Sequence, residues 1–328
     1  MRVLVTGGAG YVGSHAVREL REAGHEVVVL DDLSRGHRAA VPRDVTLLDA
    51  DLADPSALRR GLEGSEAVVH FAALLSVAES VREPAAYYRT NVAKGLALLE
   101  AMAAAGVRRI VFSSSCAVYG DPVRVPMAED HPQEPINPYG ATKRAFERAL
   151  LDHARAGVLR VVALRYFNAC GCHPDGSLGE DHDPEEHLIP RAIDAALGQG
   201  PPLVVYGDDY PTPDGTCVRD YIHVLDLARA HVAALALEAG ESFQAFNLGT
   251  GRGHSVREVI GAVERVTGRP VPFQVGPRRP GDPAELVASA DRVRSAMAFT
   301  PSWLDLEAVV ETAVRWRRGH PNGYGDRT

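Results

Sequence analysis

The fold of this chain is decided by the stretch Val3-Leu4-Val5-Thr6-Gly7-Gly8-Ala9-Gly10-Tyr11-Val12-Gly13-Ser14-His15. An apolar run typical of a strand leads into three glycines, Gly7, Gly10 and Gly13, and then into a helical pattern. Such glycines allow a tight turn, a close approach of the backbone to a pyrophosphate and close packing of helix against strand. The helix N-terminus adds unpaired N–H groups that favour phosphate. Because this run of glycines lies between a strand and a helix, it predicts a dinucleotide-binding loop rather than a merely structural turn.

Short runs rich in Val, Ile and Leu alternate with helical patterns over the first half of the chain. The predicted strands cover residues 2–6, 26–30, 46–48, 67–71, 109–113 and 160–165. The predicted helices cover residues 11–23, 55–61, 91–105 and 138–154. Several of these strands are almost wholly apolar, as expected when helices cover both faces of a parallel sheet. The alternation predicts an α/β fold with a doubly wound, Rossmann-type parallel sheet.

The second half of the chain has a different composition. Residues 166–220 are rich in Gly, Pro and Asp, which is typical of ordered loops around a site. We therefore predict a nucleotide-binding domain over residues 1–165 and a smaller substrate-binding α/β domain over residues 166–328. Residues 245–251 are predicted to return to the first sheet.

Composition excludes several classes of protein. The 328 residues carry 35 Lys and Arg against 43 Asp and Glu, a net charge of −8 without a basic block, which argues against nucleic-acid binding. No apolar run is long enough for a membrane span, and the N-terminus lacks a signal-peptide pattern, so we expect a cytoplasmic protein. The Cys170-Gly171-Cys172-His173 spacing is too short for a zinc site, and no metal is expected.

Acidic residues after two of the predicted strands point to the choice of cofactor. Asp31 lies 18 residues beyond Gly13, near the distance at which an acid binds the adenosine ribose. A carboxylate there repels a 2′-phosphate, which favours NAD over NADP, although Arg35 and Arg38 lie nearby. Asp51, before Leu52, is either an adenine contact or a solvated loop acid.

A Tyr-x-x-x-Lys pair and a serine at a strand end are the candidate catalytic groups. Tyr139 and Lys143 are four residues apart on a predicted helix, so they lie on one face. An ammonium and a nicotinium ring both favour a phenolate, which would make Tyr139 a base for a substrate hydroxyl. Ser115, in the run after the fifth strand, can orient that hydroxyl. The alternative is an ordinary amphipathic helix, but the three-part pattern favours catalysis.

These residues resemble a known family. The chain is similar over nearly its whole length to the extended short-chain dehydrogenases/reductases, and within them to the UDP-glucose (UDP-galactose) 4-epimerases. The glycine loop is shared by the whole superfamily. The run from Tyr210 to Val224 is the most specific to the epimerases. The other motifs are His70-Phe71-Ala72-Ala73, Ser113 to Gly120, Pro138 to Lys143, Leu164 to Asn168 and Arg278 to Asp282.

The resemblance implies a role for each matching residue. It makes Tyr139 the base, Ser115 its hydroxyl partner and Lys143 a ligand of the nicotinamide ribose. The implied NAD-binding residues are Gly7, Gly10, Tyr11, Val12, Gly13, Asp31, Asp51, Leu52, Phe71, Ala72, Ala73, Asn91, Tyr139, Lys143 and Phe167. The implied UDP-hexose-binding residues are Ser115, Tyr139, Asn168, His187, Leu188, Tyr206, Arg219, Tyr221, Arg279, Asp282 and Leu286. The two arginines fit this role independently, since a guanidinium group binds a diphosphate in bidentate fashion.

The resemblance also implies an activity and an assembly. It implies an NAD-dependent interconversion of UDP-glucose and UDP-galactose through a 4-keto intermediate, and a homodimer. Cys116 and Ala117 follow Ser115 where sugar-nucleotide dehydratases have an Asp-Glu pair, and residues 73–76 lack a lysine that many family members carry. The alternatives are a 4-epimerase of another UDP-sugar (glucuronate, arabinose or an N-acetylhexosamine) and a non-catalytic NAD-sensing regulator.

Overall fold

A computed structural model describes residues 1–237, 240–279 and 281–326 of the chain. Pro280 of a predicted motif, and residues 238–239 and 327–328 of the predicted second domain, lie outside them. The strands are β1 (Arg2–Thr6), β2 (Glu26–Asp31), β3 (Thr46–Asp49), β4 (Ala67–His70), β5 (Arg109–Ser115), β6 (Arg160–Tyr166), β7 (Asn168–Cys170), β8 (Leu203–Tyr206), β9 (Val218–His223), β10 (Phe243–Leu248), β11 (Gly253–Ser255), β12 (Phe273–Gly276) and β13 (Glu285–Leu286).

Eleven α-helices lie in the described part of the chain. They are α1 (Tyr11–Glu22), α2 (Pro55–Leu62), α3 (Val77–Arg82), α4 (Pro84–Tyr88), α5 (Lys94–Ala105), α6 (Pro138–Arg155), α7 (Leu188–Leu197), α8 (Val224–Leu235), α9 (Val256–Thr267), α10 (Asp291–Met297) and α11 (Leu306–Gly319). None of the helices in the described part of the chain has both the length and the apolar character needed to cross a membrane.

Seven parallel strands form the main sheet, in the spatial order β10-β6-β5-β4-β1-β2-β3. The predicted doubly wound α/β fold is confirmed. The strand order reverses between β1 and β4, and ligands bind in the crevice at the carboxyl ends of the strands at such a reversal. The edge strand β10 comes from the second half of the chain, so the halves share this sheet.

Helices cover both faces of the main sheet, which explains why its strands are so apolar. On one face, Val17 and Leu20 of α1 pack with Leu227 of α8 against β1 and β2. On the other face, α2, α5 and α6 contribute a second cluster that contains Leu58, Leu98 and other fully buried side chains. Strands buried on both faces need apolar side chains at successive positions.

The helix predicted over residues 91–105 begins differently in the structure. A π-helical turn covers Arg89–Ala93, and the α-helix α5 starts only at Lys94. The Asn91 side chain is buried here and pairs with both backbone groups of Leu74. The wide turn therefore places an amide against the loop after β4, which an uninterrupted α-helix pattern does not predict.

The second half of the chain builds a smaller unit over the carboxyl edge of the main sheet. Strands β7, β9, β11 and β13 form a mixed four-stranded sheet, and β8 pairs with β12. Helices α7, α9 and α11 share a separate apolar core with β8. The loops of this unit face the strand ends of the first, and a cavity lies between them.

Candidate active site

A cavity of about 1030 Å³ lies at the carboxyl ends of strands β1 to β6. This volume is large enough for a dinucleotide cofactor together with part of a substrate. The predicted site residues that line it are Gly7, Gly10, Tyr11, Val12, Gly13, Asp31, Leu52, Phe71, Ala72, Ala73, Ser115, Tyr139, Lys143, Phe167, Asn168, His187, Leu188, Tyr206, Arg219, Tyr221, Arg279, Asp282 and Leu286. The structure therefore brings nearly all of them to one cavity.

The glycine loop is shaped by two different requirements. A Cβ atom at Gly13 would overlap the carbonyl oxygen of Gly7, so the packing of α1 against the loop requires glycine there. At Gly10 the nearest chain atom to such a Cβ would be 3.5 Å away, and Gly10 faces the cavity. Helix α1 has neither a side-chain cap nor an acidic residue in its first turn. Its free N–H groups and the open space at Gly10 fit a pyrophosphate.

The Asp31 carboxylate is fixed at the end of β2. It accepts hydrogen bonds from the backbone N–H groups of Ala9 and Leu33, both at 2.9 Å, and burial raises its pKa. Arg35 pairs with Glu79 at 2.6 Å, and Arg38 pairs with Asp49 at 2.6 Å. Each arginine is thus engaged by its own acid, while Asp31 faces the cavity. This arrangement fits an unphosphorylated adenosine ribose, as predicted for NAD.

The three candidate catalytic groups converge from β5 and α6. Ser115 ends β5, and the Asn137 side chain caps α6 by accepting a hydrogen bond from the Gly140 N–H at 2.9 Å. This cap starts the helix so that Tyr139 and Lys143 lie one turn apart on the cavity wall. Lys143 Nζ donates to the carbonyl oxygen of Ser113 at 2.9 Å and lies 5.8 Å from the centre of the Tyr139 ring.

The electrostatics of this group differ from the expectation that Lys143 favours a phenolate. Burial raises the pKa of Tyr139 well above its usual range, the Tyr166 phenol adds to the rise, and a hydrogen bond with Ser115 opposes it. Burial also lowers the pKa of Lys143 to about 7, against the opposing effect of Glu147. Burial thus disfavours the charged form of both side chains, and the chain by itself holds Tyr139 protonated.

The opposite end of the cavity is cationic. The Arg219 guanidinium pairs with Asp282 and donates to the carbonyl oxygen of Val218 at 2.7 Å. The Arg279 guanidinium lies 3.9 Å above the centre of the Tyr206 ring, and its hydrogen bond lowers the Tyr206 pKa. Two guanidinium groups on one cavity wall, Arg219 buried and Arg279 exposed, can bind a diphosphate. In this structure Asp282 serves as a counterion of Arg219.

Two predicted cofactor residues do not line the cavity. The Asp51 carboxylate pairs with Lys94 Nζ at 2.5 Å and accepts the Ala53 N–H at 2.8 Å. Asn91 is buried against Leu74. The side chains of Asp51 and Asn91 are already used in these contacts, so they do not face the cavity. They instead hold Lys94 and Leu74, which do line it.

Several residues that line the cavity do not appear among the predicted site residues. Lys94 follows Asn91 by one helical turn, and Arg191 follows His187 by one turn at the start of α7. Tyr166 lies inside a quoted motif, and its hydroxyl is 2.8 Å from Ser113 Oγ. For Lys94 and Arg191, the signal in the sequence was their position one helical turn after a predicted site residue. Glu180 and His182, in the loop before α7, had no such signal.

Comparison with known proteins agrees with this geometry. Residues 3–249 match the NAD dependent epimerase/dehydratase family. The UDP-glucose 4-epimerase of Streptomyces lividans is 50% identical over 329 residues, which cover 99% of each chain. The crystal structure of UDP-glucose 4-epimerase from Brucella ovis in complex with NAD shares 50% identity and a TM-score of 0.92, over 95% of this chain and 97% of that one. The corresponding enzyme from Bifidobacterium longum, in complex with NAD⁺ and UDP, shares 39% identity and a TM-score of 0.93, over 98% and 100%.

These similarities extend over the whole chain rather than over the glycine loop alone. They confirm the resemblance that the motifs indicate, and the cofactor is NAD. The cavity, the fixed carboxylate of Asp31 and the glycine loop fit that cofactor. The chain therefore belongs to the NAD-dependent epimerase/dehydratase family.

Proposed function

We propose that this protein interconverts UDP-glucose and UDP-galactose by reversible hydride transfer at C4 of the hexose. The observation that carries the proposal is the convergence of Ser115, Tyr139 and Lys143 on the same cavity as Arg219 and Arg279. The first group fits chemistry on a hydroxyl, and the second fits a diphosphate. The relatives named above carry the same activity in their names.

The chain's own residues have separate roles in this reaction. Tyr139 takes the proton of the C4 hydroxyl and later returns it, and Ser115 orients that hydroxyl by a hydrogen bond. Bound at the glycine loop and Asp31, NAD⁺ would supply the hydride acceptor and donor for C4 and the positive charge of its nicotinium ring. The 4-keto sugar must turn over between these steps so that hydride returns to its other face. Because burial holds Tyr139 protonated in the chain alone, we expect it to act as a base only in the holoenzyme.

The nucleotide part of the substrate is proposed to bind at the cationic end of the cavity. Arg219 and Arg279 would hold the diphosphate, while Asn168, Leu188, Tyr206, Tyr221 and Asp282 would surround the rest of the UDP group. The Asn168 amide is held by the carbonyl oxygen of Asp220 at 3.0 Å, so its position is set by β9. Binding the substrate mainly through its UDP group leaves the hexose free to rotate, which epimerisation requires.

Dehydration is not favoured as an alternative reaction. The residues after Ser115 in the cavity wall are Cys116 and Ala117, so neither supplies a carboxylate for acid or base catalysis there. Burial raises the pKa of the Cys116 thiol to about 12, so it stays neutral. A purely NAD-sensing protein is not favoured either, because Tyr139 and Lys143 are both present at the cavity wall.

The direct test is to incubate the purified holoenzyme with UDP-galactose, without added NAD, and to measure UDP-glucose. We expect UDP-glucose to form, and Tyr139→Phe to slow its formation by about 10²–10⁴-fold while bound NAD is retained. Tyr166→Phe is the matched control, since it removes a second buried hydroxyl of the cavity, and less than about a tenfold loss is expected. No product from the wild type would overturn the activity, and full turnover in Tyr139→Phe would overturn the role of the base.

We also propose a homodimer located in the cytoplasm, without a nucleic-acid or membrane partner. Large apolar side chains are exposed on neighbouring helices, Tyr88 of α4 at 46% and Leu96 of α5 at 38%, and could be covered by a second copy of the chain. All four cysteines are free thiols, which fits a reducing compartment. Sedimentation velocity should give twice the chain mass of 35.2 kDa, and a monomer at micromolar concentration would contradict the dimer.

A further inference from the structure

Four side chains of metal-binding type converge in the loop between β7 and α7. They are Glu180, His182, Glu185 and His187, and each offers one ligand atom within 4.8 Å of all the others. This group is separate from the Cys170-Gly171-Cys172-His173 run, whose spacing argues against a metal. Three of the four also line the cavity wall, and Glu185 does not.

Each imidazole nitrogen of the cluster lies close to both carboxylates, so nitrogen and oxygen atoms alternate around a small ring. Glu180 Oε1 lies 2.8 Å from His187 Nδ1 and 3.4 Å from His182 Nδ1. The two oxygens of Glu185 face different imidazoles: Oε1 lies 3.0 Å from His187 Nδ1, and Oε2 lies 3.4 Å from His182 Nδ1. Zinc bonds of about 2.0–2.2 Å in a tetrahedron place neighbouring ligand atoms about 3.3–3.6 Å apart. The four nitrogen–oxygen distances, 2.8–3.4 Å, thus lie at or up to about half an ångström below that spacing, so a small cation fits between the groups after a modest outward shift.

Two of the four ligand atoms lack a hydrogen bond. Glu180 Oε1 and His182 Nδ1 are inaccessible to solvent and make no hydrogen bond of acceptable geometry within the described residues. Their nearest polar neighbours all belong to the cluster: Glu180 Oε1 is 2.8 Å from His187 Nδ1, and His182 Nδ1 is 3.4 Å from both glutamates. The Glu180 side chain is only 6% exposed and points into the cluster. Buried polar atoms are nearly always satisfied, and leaving a carboxylate oxygen unsatisfied is costly. A cation between the four groups would satisfy both atoms at once.

We propose that Glu180, His182, Glu185 and His187 form a structural site for Zn²⁺ or a similar divalent transition metal. Imidazole nitrogen and carboxylate oxygen are ligands that zinc takes in tetrahedral sites, whereas Ca²⁺ and Mg²⁺ need six or more oxygens. All four positions are filled by the chain, so the site leaves no open position for catalysis.

The site would brace the wall of the cofactor cavity. The His182 ring packs edge-on against Tyr11 with ring centres 6.0 Å apart, and the Tyr11 hydroxyl donates to the carbonyl oxygen of Gly171 at 2.5 Å. His187 directly precedes α7. A bound metal would therefore tie the loop over residues 171–187 to both the glycine loop and the first turn of α7. The inference does not depend on which sugar the protein uses.

A network of protonated imidazoles is the competing explanation. Burial by itself would lower the pKa of His182, but the carboxylates of Glu180 and Glu185 raise it to about 9. The same carboxylates raise the pKa of His187 against the effect of burial. The cluster thus favours positive charge, and either two protons or one metal ion can supply it. Only the second explanation predicts a stoichiometric metal.

The test is a zinc titration of the chelator-stripped holoenzyme against a chromophoric chelator, with Mg²⁺ as a non-binding comparison. We expect one Zn²⁺ per chain, and the intense visible bands of tetrahedral Co²⁺ when Co²⁺ replaces zinc. Glu185→Gln should weaken zinc binding by at least about tenfold. Glu186→Gln is the matched control, because the neighbouring Glu186 accepts a hydrogen bond from Ser76 at 2.6 Å and lies outside the cluster. It should bind zinc as the wild type does.

Two results would overturn the proposal. One is a wild-type holoenzyme that binds no stoichiometric zinc, or binds Co²⁺ with only weak octahedral bands. The other is equal weakening, or none, in Glu185→Gln and Glu186→Gln, which would place the metal elsewhere. Circular dichroism checks that each variant is folded. If Glu185→Gln does not fold, His182→Gln replaces it, and the wild-type stoichiometry and Co²⁺ spectrum still decide.

Discussion

The two ends of the active-site cavity are built in different ways. At the cofactor end, Gly13 lies in the first turn of α1, soon after β1, and Asp31 is the last residue of β2. Their positions are set by backbone contacts. At the nucleotide-sugar end, Arg219 pairs with Asp282 across 63 residues, and Arg279 stacks on Tyr206 of β8. The first end is an extension of the sheet, and the second is assembled from side-chain contacts between residues that are far apart in the chain, on strands β8 and β9 and in the segment around residue 280.

This difference predicts how the two ends respond to substitution. At the cofactor end, a change that disturbs the packing of α1 against the loop after β1, such as one at Gly13, should alter folding stability and NAD content together. A change at the sugar end removes one side chain from the cavity wall. It should therefore alter the KM for the UDP-sugar and leave the free energy of unfolding nearly unchanged. The predictions below test this contrast, beginning with the largest expected effect.

Gly13→Ala should have the largest effect. The added Cβ would overlap the Gly7 carbonyl oxygen, which is backbone and cannot rotate away. We expect a loss of about 3 kcal/mol in the free energy of unfolding, the upper range for an overpacked site, together with loss of bound NAD. Urea denaturation followed by circular dichroism, with NAD measured after protein precipitation, checks both.

Gly10→Ala is the matched control for this prediction. Its Cβ would approach the Gly7 oxygen only to 3.5 Å but would project into the cavity. Stability should therefore stay within about 1 kcal/mol of the wild type, while NAD affinity falls. If Gly10→Ala destabilised the fold as much as Gly13→Ala, the assignment of one glycine to packing and the other to phosphate binding would be wrong.

At the sugar end, Arg279→Met should raise the KM for UDP-galactose by about 30-fold. This corresponds to about 2 kcal/mol, the range for a hydrogen bond to a charged group. The control is Arg278→Met, because Arg278 pairs with Asp209 at 2.6 Å and is not part of the cavity wall. Steady-state kinetics should show less than a threefold change for Arg278→Met. Equal effects of the two variants would indicate general disturbance of this loop rather than loss of a phosphate contact.

The same contrast explains how much the sequence could predict. The glycine loop, Asp31, Ser115 and the Tyr139 and Lys143 pair follow from local spacing, since each lies next to a strand end or within one helical turn. The strand and helix pattern of the first half likewise predicts the parallel sheet, because buried strands and amphipathic helices have distinct periodicities. Even the return of residues near 245 could be anticipated from one short apolar run, which the structure places at the sheet edge as β10.

The remaining features depend on where side chains point after the loops have folded. Asp51 pairs with Lys94, and Asn91 binds the backbone of Leu74, so neither lines the cavity although both lie beside it. The pKa of Tyr139 is dominated by burial, which a Tyr-x-x-x-Lys spacing does not report. The cluster at residues 180–187 forms only when an irregular loop folds back on itself, and irregular loops have no periodicity from which side-chain directions can be read.

The smallest expected effect concerns the size of the sugar. Leu286 lies on the two-residue strand β13, opposite Arg219 of β9 in parallel register, and packs beside Phe167 and Met127. It therefore lies at the cavity wall next to Arg219, the proposed diphosphate ligand, where we propose that the hexose begins. A leucine is smaller than a planar aromatic ring and can change rotamer, so it should narrow the site without closing it. Added bulk in such a pocket discriminates by about 1–3 kcal/mol.

We therefore expect strong preference for UDP-glucose and UDP-galactose, with weak but measurable turnover of UDP-N-acetylhexosamines. Leu286→Tyr should lower kcat/KM for the N-acetylated sugars by about fivefold to tenfold, near the low end of that range, and leave kcat/KM for UDP-galactose within about twofold. Leu286→Met, which nearly conserves volume, is the control and should change neither value. The ratio of the two kcat/KM values is the informative quantity, because loss of stability or of NAD would lower both together. A ratio that Leu286→Tyr leaves unchanged would show that another part of the cavity wall limits sugar size.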